Sequence, residues 1–262
     1  MTAKELLDAG QLTAAIEQLN KDVKAHPADA QLRTFLFELL SFAGDYQRAD
    51  RQLEVIGHQS TTAEIGVQIY RHVITAERAR QRLFADGLQP NFLLDPPPYT
   101  RLHLEAINRL RENRPKEAKT FLEESLNTRP SVAGRLNGQP FSELQDSDEI
   151  LAPFLEMVIQ DRYTWVPFAQ IKRITITPPK RLRDLLWTQA TIETAIGPAG
   201  EVFIPVLYAG SSAHANEQIR LGRMTDWQPL GEGLTRGVGQ RLLLVDDQEH
   251  AILEVRELEF DA

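Results

Sequence analysis

Six histidines, His26, His58, His72, His103, His214 and His250, are the residues most suited to metal or acid–base chemistry in this chain. None pairs with another at the four-residue spacing of a helical metal site, and no HExxH occurs. There is no cysteine. That removes disulfides, thiolate zinc sites, iron–sulfur clusters and cysteine nucleophiles. Gly210-Ser211-Ser212 lacks the GxSxG pattern of a nucleophile elbow and reads as a turn at a strand end. The stretch from Gly231 to Arg241 holds Gly237 and Gly239 between Arg236 and Arg241. Its backbone could approach a phosphate, but it precedes a strand rather than a helix, and Glu232 would repel an anion. A loop or bulge is the better reading. No catalytic residue, metal ligand or cofactor is therefore expected.

The segment Pro178 to Trp187 carries Lys180, Arg181 and Arg183 in an otherwise acidic protein. One reading is a short helix whose cations keep their heads in water while Trp187 enters the core. The other is a docking patch for an acidic or aromatic peptide, since Arg and aromatic residues carry interface energy. Trp227 admits the same two readings, buried anchor or contact residue.

The elements that position these residues follow from length and pattern. The 262 residues carry a formal net charge of −8. No extended basic stripe with interleaved aromatics is present, so nucleic acid is not expected as a partner. The first ten residues are amphipathic and contain Glu5 and Asp8, unlike a signal peptide. No run of about 18 apolar residues exists, so no membrane span is expected, and the default compartment is the cytoplasm.

The N-terminal half repeats. Gly10 and Gly44 stand 34 residues apart, and at that offset Leu6 meets Leu40, Leu12 meets Tyr46, Ala15 meets Ala49, and Leu19 meets Leu53. A third copy places Asn113, Ala118 and Leu122 at the positions of Gly44, Ala49 and Leu53. Thirty-four residues is the tetratricopeptide period, a helix, a tight turn and a second helix. Gly and Asn accept the left-handed conformation that ends a helix, and the alanines let paired helices approach. Pro27 and Pro130 mark the turn after the second helix. The pattern is degenerate, since Phe37 stands where a small residue is usual and residues 61–86 read as one long helix. An irregular superhelix of about six or seven helices is expected. Such arrays bind peptides on a concave surface. If the first helix of each hairpin lines it, Arg33, Phe37, His103 and Asn108 are candidate contacts, with Lys180, Arg181 and Arg183 as the rival site.

Leu88 to Thr100 contains four prolines and reads as a rigid connector. The helical pattern ends near Pro130. Residues 131–145, rich in turn-forming types, read as a linker, and 146–262 as a β-rich domain. There the apolar period becomes two, with Phe154–Ile159 and Arg162–Phe168 forming a hairpin at Gln160-Asp161. Further strands are expected at Lys172–Thr177, Thr188–Ile196, Glu201–Leu207, Arg241–Val245 and Ala251–Leu258, with Asp246 to Glu249 as a turn. The class is α+β, a tetratricopeptide-like superhelix over 1–130 followed by a small antiparallel, partly barrel-like domain.

Several blocks together carry a family resemblance: Arg162 to Phe168, Pro178 to Trp187, Gly222 to Trp227, Arg236 to Arg241, and the repeat start Leu6 to Gly10. In that order they resemble the signature blocks of the ImpE family, also called SciE or TagJ, over essentially the whole chain. The resemblance implies an accessory protein of bacterial type VI secretion. It implies binding to the N-terminal region of the small contractile-sheath subunit, TssB, and a link from the sheath to its AAA+ disassembly ATPase, ClpV. It supplies no catalytic residues. An enzyme or small-molecule sensor in the β-rich half, and a chaperone for a secreted effector, are the alternatives.

Overall fold

The computed structural model describes residues 1–59 and 63–261. Seven helices come first: α1 (Ala3–Asp8), α2 (Leu12–Ala25), α3 (Ala30–Phe42), α4 (Tyr46–Gln59), α5 (Glu64–Asp86), α6 (Tyr99–Arg111) and α7 (Pro115–Thr128). Positions 61 and 62 of the expected long helix lie outside the described residues. Thr2 and Glu5 form a capping box on α1, and the Asp29 carboxylate caps α3 by accepting from the amides of Gln31 and Leu32 at 2.8 and 3.0 Å.

The repeat is visible in the backbone itself. Gly10, Gly44 and Asn113 have φ of 76°, 72° and 58°. At each, two reverse hydrogen bonds close the helix: Gln11 N to Leu6 O and Gly10 N to Leu7 O, Asp45 N to Leu40 O and Gly44 N to Ser41 O, Arg114 N to Arg109 O and Asn113 N to Leu110 O. These are three copies of one Schellman stop. Ala15, Ala49 and Ala118, five residues after each stop, are all fully buried where the paired helices meet. The helix α5 packs against α4 on one side and against β6 of the sheet on another.

The connector contributes β1 (Asn91–Phe92), which pairs parallel with β6 (Arg162–Pro167). The expected linker is a correction. Residues 131–145 carry β2 (Gly134–Leu136), β3 (Gln139–Phe141) and the start of β4 (Leu144–Asp146). Its Asn137-Gly138 pair, with φ of 49° and 83°, is the two-residue turn of a hairpin rather than a flexible joint. The remaining strands are β5 (Phe154–Ile159), β7 (Ile171–Ile176), β8 (Trp187–Thr194), β9 (Ala199–Pro205), β10 (Thr225–Gly231), β11 (Leu234–Gly239), β12 (Leu242–Val245), β13 (Gln248–Ala251) and β14 (Glu257–Phe260), with a short α8 (Glu217–Arg220) before β10. A nine-stranded sheet runs β1-β6-β5-β9-β8-β7-β14-β2-β3, beside a three-stranded sheet β13-β12-β4 and the hairpin β10-β11. The class is α+β, helices first and strands second. The expected strand Ala251–Leu258 is broken by a 3-10 turn at Ile252–Glu254, and Gln248 and Glu249 belong to β13 because Asp246, at φ 52°, tightens the preceding turn to two residues. Ile196 was expected within the strand Thr188–Ile196 but lies in the exposed turn after β8.

Helices and sheet share one interior. Phe37, Tyr70 and Trp187 form an aromatic cluster with ring centres 5.7–6.4 Å apart, drawing α3, α5 and β8 together. The Trp187 indole N–H donates to Glu77 on α5 at 3.0 Å.

Candidate docking site

Two faces of α3 have different fates. Leu36, Phe37, Leu39, Leu40 and Phe42 are buried. On the other face Ala30, Gln31, Thr34, Phe35 and Glu38 line a groove of ≈720 Å³. Leu7 of α1, Ile56 of α4 and Leu182 complete its apolar walls, with Lys4 and Asp8 at the margin. Its mouth is open and its floor apolar, the geometry that receives one face of an amphipathic helix.

Leu182 brings the basic segment to the same place. The Asp184 carboxylate accepts from the backbone amides of Lys180 and Arg181, both at 2.9 Å, and holds the turn that starts the 3-10 helix Leu182–Leu185. Arg183 then reaches inward, donating to Glu38 of α3 at 2.8 Å and lying 4.8 Å over the Tyr70 ring. Burial pushes the Glu38 carboxyl up, and Arg183 only partly offsets it. Lys180 and Arg181, just before Leu182 in the chain, stay exposed. The helical groove and the basic segment, rivals in sequence, are therefore neighbours on one surface.

The individual residues divide sharply. Phe37 is a correction: it is 1% exposed, stacked on Trp187, because its side of α3 faces the sheet. His103 is a second correction. It is 1% exposed, with Nδ1 donating to Ile150 O and Nε2 accepting from Ser125 Oγ, both at 2.7 Å. Burial drives its pKa down to about 3, so it is a neutral core residue. Arg33 is half-buried and spent on Pro27 O and Gln52, away from the groove. Asn108 is half-buried and accepts from Arg111 at 3.0 Å. Arg183 is interior to the segment it was grouped with, while Lys180 and Arg181 remain available. The groove residues Thr34, Phe35 and Leu182 were missed, although Phe35 is an aromatic set among the polar positions of α3.

The glycine-rich stretch serves packing. A Cβ on Gly237 would meet the Tyr208 ring at 2.4 Å, and one on Gly239 would meet Met224 O at 2.0 Å. Arg236 donates to Ala209 O and stacks 4.7 Å over Phe84. Arg241 is fully buried between Asp146 and Glu156, and Arg80 of α5 binds the other side of Glu156 at 2.7–2.8 Å. Burial alone would raise the Glu156 pKa; the two guanidiniums outweigh it and leave the carboxyl at about 2. Arg80 and Arg241 are occupied by carboxylates, and Arg236 is turned onto Ala209 O and the Phe84 ring.

Among the described residues, no three His, Asp or Glu side chains stand together as a metal site would require. No described helix is long and apolar enough to cross a membrane.

Comparison with known proteins agrees with this architecture. The chain is similar to the type VI secretion system accessory component TagJ of Pseudomonas aeruginosa, at 37% identity over 261 residues, covering 100% of this chain and 92% of that protein. The crystal structure of protein VPA1032 from Vibrio parahaemolyticus has the same fold, with a TM-score of 0.92 at 25% identity, covering 99% of this chain and 97% of that one. The family described as ImpE protein matches residues 138–259, which span β3 to β14. With a full-length relative at that identity and the family's own pattern across its sheets, the chain belongs to the ImpE family.

Proposed function

We propose that this protein is a non-catalytic adaptor of a type VI secretion apparatus, working in the cytoplasm. Its groove between α1, α3 and Leu182 receives the N-terminal segment of the small sheath subunit as a short amphipathic helix. A link from the sheath to the AAA+ disassembly ATPase is the role that follows from holding that segment. The observation that carries this reading is the open apolar groove with Lys180 and Arg181 beside it. Phe35, Leu7, Ile56 and Leu182 offer apolar area to one face of a helix. The two exposed cations favour a partner carrying acidic residues next to that face. The name of the similar P. aeruginosa protein supports the accessory role.

Calorimetric titration of a synthetic peptide of the sheath subunit's N-terminus into the folded protein tests it. Saturable binding is expected, weakened but not abolished by salt, because apolar burial persists while contacts to exposed cations are screened. Lys180→Ala with Arg181→Ala should remove the salt-sensitive part alone. No binding at high micromolar peptide contradicts the reading.

A further inference from the structure

A second cavity lies between α7, β4, the segment after it and the turn of the β10-β11 hairpin. It holds ≈270 Å³ and is lined by Leu122, Leu126, Ala152 and Leu234 on its apolar side. Lys119, Arg129, Gln145 and Ser147 give it donors; Glu123 and Glu149 add negative charge, and Asp146, also in the lining, is neutralised by Arg241.

Arg129 is the unusual residue. It is half-buried, and among the described residues it forms no ion pair; its hydrogen-bond partner is the neutral Gln145 side chain. Arg80, Arg183 and Arg241 meet carboxylates, and Arg236, which like Arg129 has no ion pair among the described residues, is instead bonded to Ala209 O and stacked on Phe84. Desolvation lowers the Arg129 pKa, and the nearby Glu143, which forms no ion pair with it, only partly offsets this. The Ser147 hydroxyl, in the same cavity, is a buried polar atom with no hydrogen-bond partner among the described residues. A desolvated cation and an orphaned hydroxyl in one cavity together call for an anionic ligand, since each is costly when unmet.

We infer that this cavity binds a singly charged carboxylate carrying a short branched apolar group, either a free small acid or the C-terminus of a peptide. The carboxylate sits on Arg129 and the Ser147 hydroxyl, and the apolar group lies along Leu122, Leu126 and Leu234. Lys119 is held to Glu232 O at 3.0 Å and contributes positive potential rather than a free donor. Glu123 and Glu149 make a phosphate dianion a poor ligand, because each added negative charge raises its cost. The volume admits a leucine-sized group and excludes larger cofactors.

Titration of the full chain, followed by amide chemical shifts, tests this with three probes: isovalerate, N-acetyl-glycyl-leucine, and the same dipeptide with an amidated C-terminus. At least one acid should shift residues around Ser147 and Leu234 with a Kd on the order of 1 mM or tighter. Isovalerate alone points to a free acid, and the dipeptide acid alone or more tightly points to a chain terminus. The amide should bind at least tenfold more weakly than its acid wherever the acid binds, about the loss of one charge-assisted hydrogen bond. Arg129→Gln should lose acid binding by a similar factor. Leu126→Asp changes a side chain that is already exposed, so it reports on the site even if the Arg129 variant folds poorly, and it too should weaken binding. No shift with either acid, equal binding of acid and amide, or binding untouched by Leu126→Asp and by a folded Arg129→Gln overturns the inference.

Discussion

Two ion networks in this protein are alike in composition and opposite in consequence. At the end of α6 and start of α7, Arg109, Glu112, Arg114 and Glu117 share four contacts of 2.6–3.7 Å, and the Glu112, Arg114 and Glu117 side chains are more than two-fifths exposed. Around Glu156, Arg80, Arg241 and Asp146 make the same kind of contacts with essentially no exposure. In the first, water already solvates Glu112, Arg114 and Glu117 well, so the pairs they make add little. In the second, each charge is held only by its partners, and those partners come from α5, β4, β5 and the residue before β12. The Tyr163 hydroxyl donates to Glu156, the Trp165 indole donates to Tyr163 at 2.5 Å, and Tyr208 donates to Asp146 at 2.8 Å. The inner network ties α5, the longest of the helices described, to β4 and β5; the outer one decorates a turn.

The largest effect should come from Arg241→Ala. It leaves Asp146 and Glu156 buried and facing each other, at a cost near the upper end of about 3–5 kcal/mol. Urea unfolding measures it, and a loss below about 1 kcal/mol would show that water enters the network freely. Trp187→Ala comes next, toward the lower end of about 3–5 kcal/mol, because Phe37 and Tyr70 can settle partly into the space. Arg183→Ala should cost about 1–3 kcal/mol in the same assay, since Glu38 is left nearly buried without its partner. Lys180→Ala and Arg181→Ala should leave stability unchanged, separating the anchored from the exposed half of that basic segment.

The interior also sets a pH response. Burial, with the neighbouring Asp146, raises the Asp148 pKa to about 7 from an ordinary 3.8. The folded state therefore binds the extra proton, and this contribution to stability is lost as pH rises from about 4 to about 7. His103 does the opposite. Its folded pKa of about 3, against an ordinary 6.5, gives stability that is present above 6.5 and lost as pH falls toward 3. The two slopes oppose each other between pH 4 and 6.5. Asp148→Asn should leave stability rising with pH across that window, and denaturant midpoints at several pH values measure the slope. An unchanged slope would contradict the assignment. The smallest effect belongs to the surface network: Glu112→Ala should leave the melting temperature unchanged, and a large drop would erase the contrast between the two networks.

Local signals in the sequence were legible because they act locally. The stops at Gly10, Gly44 and Asn113 and the alanines after them mark the helical hairpins, since left-handed φ and close approach depend on the residue itself. The β5-β6 hairpin was readable for the same reason. Residues 131–145 were misread because turn-forming residues mark hairpins as readily as linkers; Asn137-Gly138 was the distinguishing pair. The inner network was invisible because Arg80, Asp146, Glu156 and Arg241 are far apart in the chain and look like surface charges. For the docking site, the sequence named the basic segment and a helical groove but could not join them. Arg183–Glu38 spans 145 positions, and the helical phase that points Phe37 inward and Phe35 outward depends on what α3 packs against.

The central claim, that the α1–α3 groove beside Leu182 is the docking site, is tested most directly by site-specific photo-crosslinking. A photoreactive amino acid is placed at Thr34 in the groove and, separately, at Gln189 on the exposed face of β8, and each protein is illuminated with the sheath subunit's N-terminal peptide. The account predicts a crosslink from Thr34 and none from Gln189. A crosslink from Gln189 with none from Thr34, in proteins that still bind the peptide, would contradict it.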